Sequence, residues 1–275
     1  VVHASVRSFG PVEAGAETVV AALQRVCGTV MMMAGSWGLT VLPAPPGLVR
    51  PHNAYWNAEG WADFDERLHS ATPYQLDLPV SAWLGQSAET LRTTAGAVRG
   101  PHPLISFVAV GDRAADLVSH ELLDRPLGPL ARLAELDGDV LLLGVDHTSN
   151  TTIHLAEQEL GFGRFHRYAR HGSGRWIELP NVSGESHRFN RIEPLLAERT
   201  TETLIGECHA RRIRIRDVLE VATRTITNDP AALLCNAPGC RCTAARLQYE
   251  SVTLGASGRR GLPEAEDLGS IHRGR

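Results

Sequence analysis

One stretch of the sequence decides the fold: residues 140–157, VLLLGVDHTSNTTIHLAE. Its first four residues are an unbroken apolar run closed by a glycine, which is typical of a strand buried on both faces. The run 149–151 consists of residues that commonly cap helices, and apolar residues then recur at helical spacing (Ile153, Ala156, Leu160). Because ligand sites in open α/β sheets lie beyond the carboxyl ends of strands, the loop between this strand and this helix is a predicted site.

The same alternation of strand and helix opens the chain. Residues 1–6 are predicted to form a strand, residues 14–26 a helix and residues 29–33 a second strand. Other predicted elements are helices over 81–94, 114–123, 130–134, 194–204 and 216–227, strands over 105–110 and 140–144, and an exposed hairpin edge over 172–182. The pattern predicts an α/β fold, with a central mixed sheet flanked by helices in a single domain.

The limits of that domain follow from composition. The domain is predicted to cover residues 1–250, and because the chain opens inside a strand without Met, an N-terminal segment is expected to be missing. Residues 251–275 lack periodicity and are predicted to be a disordered tail. Residues 43–79 are rich in proline and aromatic residues and form a predicted long loop, a kind of segment that is often functional.

Composition narrows the classes of function. The formal net charge of −4 argues against nucleic acid as a partner, and the sequence contains no lysine, which excludes Schiff-base chemistry. No apolar run approaches the length of a membrane span, so no membrane association is expected. The five cysteines are an odd number without a secretory signal, so disulfides are not expected and a cytoplasmic setting is predicted.

His154 is the strongest candidate for chemistry in the deciding stretch. It is predicted to lie in the first turn of the helix, where the positive end of the helix dipole disfavours the imidazolium form. A neutral imidazole at a strand-to-helix loop is suited to act as a general base. Glu157, three residues on, or Asp146, in the loop, would orient the ring. The alternative is a core histidine with a purely structural role.

The sequence resembles the aminoglycoside 3-N-acetyltransferase family, and the resemblance extends from residue 1 to about residue 246. Each block is weak alone, but their order along the chain is specific. The blocks are residues 2–8, 12–20, 102–103 with 106–107, 126–128, 141–144 and 150–157, the last being the most diagnostic. The resemblance implies acetyl-CoA as donor, an aminoglycoside amine as acceptor, and His154 as the base of a direct transfer.

The resemblance also implies where the cofactor binds. The turn Ala4-Ser5-Val6-Arg7-Ser8 and the pair Ser106-Phe107 would line the CoA channel, with Arg7 a candidate for a phosphate. His102 would contact the pantetheine. The alternative for Ser5 and Ser8 is ordinary turn chemistry, and for His102 an extended turn before proline.

A polycationic acceptor requires acidic and aromatic side chains. The candidates are Asp63, Asp65, Glu66, Asp77 and Glu185, with Trp37, Trp56 and Trp61. Each of the acidic residues has the alternative role of a solvated surface charge.

Three cysteines lie within eight residues and predict a structural zinc site. Cys235, Cys240 and Cys242 supply three thiolates, and His187 is the preferred fourth ligand, with His209 or Cys208 in reserve. Buried free cysteines are the alternative. Two other functions stay open at this point: a zinc-dependent hydrolase, and a non-enzymatic CoA- or sugar-binding protein of the same fold.

Overall fold

The predicted buried strand is β6 (Asp139–Leu143), which lies inside a four-stranded mixed sheet in the computed structural model; the structure describes residues 1–172 and 174–258. The sheet order is β1-β6-β10-β9, in which β1 is Val2–Ala4, β10 is Cys208–Arg214 and β9 is Thr200–Ile205. β1 runs parallel to β6, whereas β10 is antiparallel to both of its neighbours. The loops that follow β1 and β6 therefore leave the sheet at the same edge.

Two three-stranded sheets complete the strand layers. One has the order β2-β5-β4, with β2 at Thr29–Met33, β5 at Phe107–Gly111 and β4 at Val98–Arg99. The other has the order β3-β7-β8, with β3 at Val41–Leu42, β7 at Phe165–Arg170 and β8 at Trp176–Val182. The α/β fold is thus confirmed, with its strands distributed over three sheets. β1 and β2, which flank the first helix in sequence, belong to different sheets.

Helices cover the sheets and separate them. They are α1 (Ala16–Val26), α2 (Trp37–Thr40), α3 (Trp61–Ser70), α4 (Gln86–Thr93), α5 (Ala114–Val118), α6 (Gly128–Glu135), α7 (Thr152–Glu159), α8 (Glu193–Leu196), α9 (Ile215–Asn228) and α10 (Arg241–Gly258). Within the described residues, no helix combines the length and the apolar character that a bilayer span requires.

The main core forms where β6, α7 and α9 meet. Val140 and Leu142 of β6, Ile153 of α7 and Val218 and Val221 of α9 are all fully enclosed. Burying each of these side chains contributes about 1.5–3 kcal/mol relative to leaving it exposed. The apolar face of α7 therefore packs on the core, and this packing fixes the position of the helix.

Some predicted elements are wrong. The helix predicted over 194–204 is a short α8 followed by strand β9, because Leu204 is 70% exposed and its segment pairs with β10 instead of packing as a helix. The predicted loop 43–79 contains α3, which buries Phe64 and Leu68 against a small cluster around Tyr168. These short amphipathic elements carry too few apolar residues for periodicity to identify them.

The predicted disordered tail begins too early. Helix α10 continues to Gly258, so the range 251–258 is helical. The remaining residues, 259–275, lie outside the described residues.

Candidate active site

The loop from β6 to α7 is built by local polar contacts. Gly144 turns the chain with a φ of 65°, and a Cβ atom there would lie 1.6 Å from Ser8 Oγ in the turn after β1. Asp146 accepts from the backbone N–H of Thr148 at 2.9 Å and so starts a 3₁₀ turn. Asn150 Oδ1 then accepts from the backbone N–H of Thr152, the first residue of α7. The capping role predicted for this run thus falls to Asn150.

His154 occupies the first turn of α7, as predicted, and its ring is oriented by Glu157. His154 Nδ1 lies 2.7 Å from Glu157 Oε2, and the Glu157 side chain is only 3% exposed. The ring of Phe189 contacts the imidazole edge to face, with centroids 4.7 Å apart. Because the carboxylate accepts Nδ1–H, this arrangement leaves Nε2 with its lone pair free to accept a proton.

The imidazole of His154 lines a cleft of about 560 Å³. Hydrophobic walls come from β2, from Leu104 and Ile105, and from the indoles of Trp37 and Trp83. Polar groups on the cleft surface are those of His3, Thr148, Ser149, Asn150, Thr151, Ser183, Glu185, Ser186 and Arg241. A concave apolar site with a few convergent polar groups is the usual form of a small-molecule site.

Asp146 does not orient His154. In the described residues its carboxylate accepts from Thr148 and, at 2.7 Å, from Asn190 Nδ2. Asn190 follows Phe189, so Asp146 supports the aromatic ring that contacts the imidazole rather than the imidazole itself. The predicted contact between Asp146 and the imidazole is thus absent from the described residues, and a catalytic role of Asp146 remains a prediction.

The turn predicted to bind CoA borders the cleft at its edge. Val6–Phe9 form a 3₁₀ turn, and Ser8 Oγ donates to the carbonyl of Ser5 at 2.7 Å. Ala4, Ser5 and Val6 are partly buried, and the guanidinium of Arg7 is exposed. The cleft surface itself is formed by the preceding Val2 and His3. The turn chemistry of Ser5 and Ser8 is present, and CoA contact remains a prediction.

His102, Ser106 and Phe107 are fully buried and do not line the cleft. His102 Nδ1 accepts from the backbone N–H groups of Leu104 and Ile105, and burial lowers its pKa to about 3. Ser106 Oγ donates to Ala34 O at 2.9 Å. These enclosed side chains have internal partners in the described residues, and their contact with CoA remains a prediction.

A buried carboxyl group holds that same loop. Glu121 accepts from the backbone N–H of His102 at 2.8 Å and of Phe107 at 2.6 Å, and burial raises its pKa to about 8. The loop so held presents Leu104 and Ile105 to the cleft.

Among the predicted acceptor residues, the structure brings two to the cleft. Trp37 and Glu185 line it, and Glu185 forms an ion pair with Arg241 at 2.7 Å. Asp63 and Asp65 lie on α3, away from the cleft, where Asp63 pairs with Arg67. The other candidates, Glu66, Asp77, Trp56 and Trp61, are exposed and do not line the cleft. The structure does not bring these residues to the cleft, and their role in binding the acceptor remains a prediction.

Several cleft residues carry no signal in the sequence. His3 is predicted only as part of a strand, and burial lowers its pKa to about 3. Trp83, Leu104 and Ile105 are ordinary apolar residues in the sequence. Arg241 stands out only as the residue between two cysteines, which predicts a metal site and not a cleft wall.

The predicted cysteine and histidine ligands come together in space. One possible ligand atom from each of His187, Cys235, Cys240 and Cys242 lies within 4.8 Å of the other three. A tetrahedral Zn²⁺ with Zn–S bonds of about 2.3 Å separates its sulfurs by about 3.8 Å, so a small contraction suffices. The N–H of Ala237 donates to Cys235 Sγ and lowers the pKa of that thiol. The reserve ligands His209 and Cys208 lie in β10, outside this cluster.

The site thus combines a histidine whose ring contacts a buried carboxylate with a cleft that the same ring lines. The family model for aminoglycoside 3-N-acetyltransferase matches residues 1–227, and the chain belongs to this family. It is accordingly an acyltransferase.

Known relatives agree in sequence and in structure. Aminoglycoside N(3)-acetyltransferase IV from Salmonella sp is 31% identical over 242 residues, covering 85% of this chain and 82% of the relative. The apoenzyme of aminoglycoside acetyltransferase AAC(3)-IVa aligns with a TM-score of 0.70 and 30% identity, covering 90% of this chain and 89% of that chain. A histidine-to-alanine mutant of AAC(3)-IVa, in complex with a gentamicin, aligns with a TM-score of 0.68 and 28% identity, again covering 90% of this chain and 89% of that chain.

A more distant structure shares the fold. AAC-IIIb in a binary complex with CoASH has a TM-score of 0.67 and 23% identity, covering 82% of this chain and 88% of that chain.

Proposed function

We propose that this chain transfers the acetyl group of acetyl-CoA directly to the 3-N amine of an aminoglycoside, with His154 as the general base. The observation that carries the proposal is the 2.7 Å contact of His154 Nδ1 with the buried carboxylate of Glu157. That contact directs the proton to Nδ1 and leaves Nε2 of this cleft-lining residue to accept the proton of the acceptor amine. In the described residues Nε2 has no other hydrogen-bond partner.

The reaction needs no covalent enzyme intermediate. The neutral acceptor amine attacks the thioester carbonyl, and His154 Nε2 takes the proton that the amine loses as the N–C bond forms. The C–S bond then breaks, and the CoA thiolate leaves with the proton from the imidazolium. Glu157 stabilises the imidazolium between these two steps. A general base of this kind contributes about 10²–10⁴ in rate.

Two hydroxyl groups are candidates to stabilise the oxyanion. Ser149 and Thr151 flank Asn150 in the loop before α7, and both line the same cleft as His154. Neither hydroxyl has a hydrogen-bond partner in the described part of the chain. Donors aimed at the developing oxyanion are commonly the largest electrostatic contribution to acyl transfer.

The relatives support the identity of both substrates. A mutant of AAC(3)-IVa binds a gentamicin, and AAC-IIIb binds CoASH. The cleft volume of about 560 Å³ lies in the ordinary range for small-molecule sites. Resistance to such antibiotics is the biological role that we propose, in the cytoplasm where acetyl-CoA is available.

The test is the release of free CoA. The purified chain is incubated with acetyl-CoA and a panel of aminoglycosides that includes gentamicin, and the acetylated nitrogen is located by NMR. We expect acetylation at the 3-N position in the wild type and a loss of about 10²–10⁴ in kcat for His154→Ala. Turnover that is unchanged by this substitution would disprove the base role, and silence across the panel would disprove the activity.

We also propose that His187, Cys235, Cys240 and Cys242 bind a structural zinc ion. All four positions of a tetrahedral ion would be filled by protein ligands, which leaves none for a reactive water. The cluster therefore favours a structural ion over the metal centre of a hydrolase. Thiols that stay reduced in the cytoplasm are the form that such a site requires.

Metal content and stability test the zinc proposal. Elemental analysis of the purified protein is expected to give one zinc per chain, and Cys242→Ser to lower both zinc content and melting temperature. Acetylation that survives removal of the metal with the fold intact would exclude a zinc hydrolase mechanism. The matched control is Cys27→Ser, because Cys27 is a partly exposed free thiol outside the cluster.

A further inference from the structure

Arg241 joins the cysteine and histidine cluster to the cleft. It stands between Cys240 and Cys242, it is the first residue of α10, and its side chain lines the cleft. Its Nε donates to Glu185 Oε1 at 2.7 Å. Glu185 Oε2 in turn lies 4.0 Å from Nδ1 of His187. Both members of this ion pair are therefore next to residues of the cluster: Arg241 in sequence and Glu185 through its contact with His187.

The ion pair of Arg241 and Glu185 supplies the formal charges of the cleft wall. Among the described residues that line the cleft, Glu185 is the carboxylate and Arg241 the guanidinium. Their side chains are about one third exposed, at 30% and 33%, so both remain in reach of a ligand. Burial keeps His3 neutral by lowering its pKa to about 3. The formal charges of the wall thus cancel, in a site proposed to hold a polycation.

We propose that Arg241 is a specificity-determining residue that competes with the ammonium groups of the acceptor for the carboxylate of Glu185. The inference rests on the proposed function for the identity of the acceptor. The guanidinium of Arg241 is held by its 2.7 Å contact with Glu185, and the positive end of the α10 dipole adds to its field. A carboxylate already paired to a fixed guanidinium attracts a ligand ammonium less strongly than a free one does.

The proposal predicts an order of affinities that depends on the charge of the wall. Arg241→Gln makes the wall negative, Glu185→Gln makes it positive, and the double variant returns it to neutral. The dissociation constant of gentamicin is expected to fall about fivefold in Arg241→Gln and to rise about fivefold in Glu185→Gln. The double variant is expected to bind like the wild type. Arg241→Lys, which keeps the charge, is expected to stay close to the wild type as well.

The experiment is equilibrium binding of gentamicin to the CoA-saturated protein by calorimetry, with steady-state kinetics in parallel. KM for the acceptor is expected to follow the dissociation constant, and to change more than kcat does. Arg199→Gln is the matched control, because Arg199 is similarly exposed, at 35%, and is paired with Glu220 on the surface. That control is expected to leave gentamicin binding unchanged. Zinc content is measured for every variant, and Arg241→Met replaces Arg241→Gln if that variant does not fold.

The outcomes separate the two proposals. The proposal that Arg241 competes for Glu185 would be overturned if Arg241→Gln bound gentamicin more weakly than the wild type. It would also be overturned if the double variant bound gentamicin as weakly as Glu185→Gln does, and Arg241 would then be a structural residue. Binding constants in the predicted order without any turnover in the wild type would support the Arg241 proposal and reject the proposed acetyl transfer.

Discussion

The loop after β6 and the loop before β5 each bury a histidine beside the same cleft, and the two rings have opposite surroundings. His154 is 7% exposed and gives Nδ1 to a carboxylate, Glu157. His102 is fully buried, and its Nδ1 accepts two backbone N–H groups instead. In the first ring Nε2 is the acceptor, and the residue lines a cleft. In the second ring Nε2 must carry the proton, and it is buried without a partner in the described residues.

The difference shows that burial alone does not separate a catalytic histidine from a structural one. The partner of Nδ1 decides the tautomer, and the tautomer decides whether the other nitrogen can accept a proton. Acidic residues support both loops, but Glu157 contacts an imidazole whereas Glu121 contacts backbone amides. One acid therefore serves the proposed proton transfer, and the other holds the shape of the cleft wall.

The largest expected effect contrasts the two rings directly. His154→Gln is expected to lower kcat by about 10²–10⁴, because it removes the proton acceptor. His102→Gln is expected to keep kcat within an order of magnitude and to lower stability instead. Steady-state kinetics and chemical denaturation of both variants check this. Equal losses of kcat would show that the contrast between the loops is wrong.

The next largest effect is expected from substituting the two acids, Glu157 and Glu121. Glu157→Gln is expected to lower kcat by about 10²-fold, because an amide stabilises neither the required tautomer nor the imidazolium. Glu121→Gln serves as the matched variant, and it is expected to cost about 1–3 kcal/mol of stability through its buried backbone partners. Both kcat and the free energy of unfolding are measured for the two variants, and each variant is expected to change mainly one of them. A Glu157→Gln enzyme with wild-type kcat would contradict the orienting role.

The pH dependence of stability sharpens the comparison further. The pKa of His102 is lowered to about 3 in the folded protein from 6.5, so the unfolded chain binds the proton more readily between these values. The contribution of His102 to stability is therefore expected to fall as the pH drops below 6.5, by about 1.4 kcal/mol per pH unit. His102→Gln is expected to flatten this acid limb in urea unfolding. An acid limb of unchanged slope in the variant would contradict the assignment.

The smallest effect concerns Asp146, one step removed from the base. It supports Asn190, which follows the Phe189 ring that packs on His154. Asp146→Asn is expected to lower kcat by only about threefold, because the carboxylate acts through an aromatic contact of about 0.5–1.5 kcal/mol. A loss as large as that of Glu157→Gln would place Asp146 in direct contact with the imidazole during turnover. Single-turnover kinetics measure the difference.

How much could be predicted from the sequence depends on how far apart in sequence the interacting residues lie. The β6–α7 unit, the position of His154 and the contact with Glu157 follow from local spacing, and all are present in the structure. The metal ligands are predicted from close spacing plus one distant histidine, and the structure brings them together. Local patterns identify such features because few contacts decide them.

The differences between prediction and structure concern residues whose position depends on distant packing. Charge alone assigns Asp63 and Asp65 to the acceptor, and the docking of α3 turns them outward. Family resemblance assigns Ser106 and Phe107 to the cofactor, but Glu121 and Ala34 hold that strand end inside. The helical prediction for edge strand β9 fails because its pairing with β10 is not visible in local periodicity.

Gly144 has a consequence for how ligands enter. Because Gly144 has no side chain, the turn that carries Ser8 packs closely against the end of β6. Two segments 136 positions apart are therefore in contact at this point. This close approach leaves no room for a ligand between the two segments. Entry and departure are therefore expected at the far rim, between the exposed indole of Trp83 and the segment 183–186.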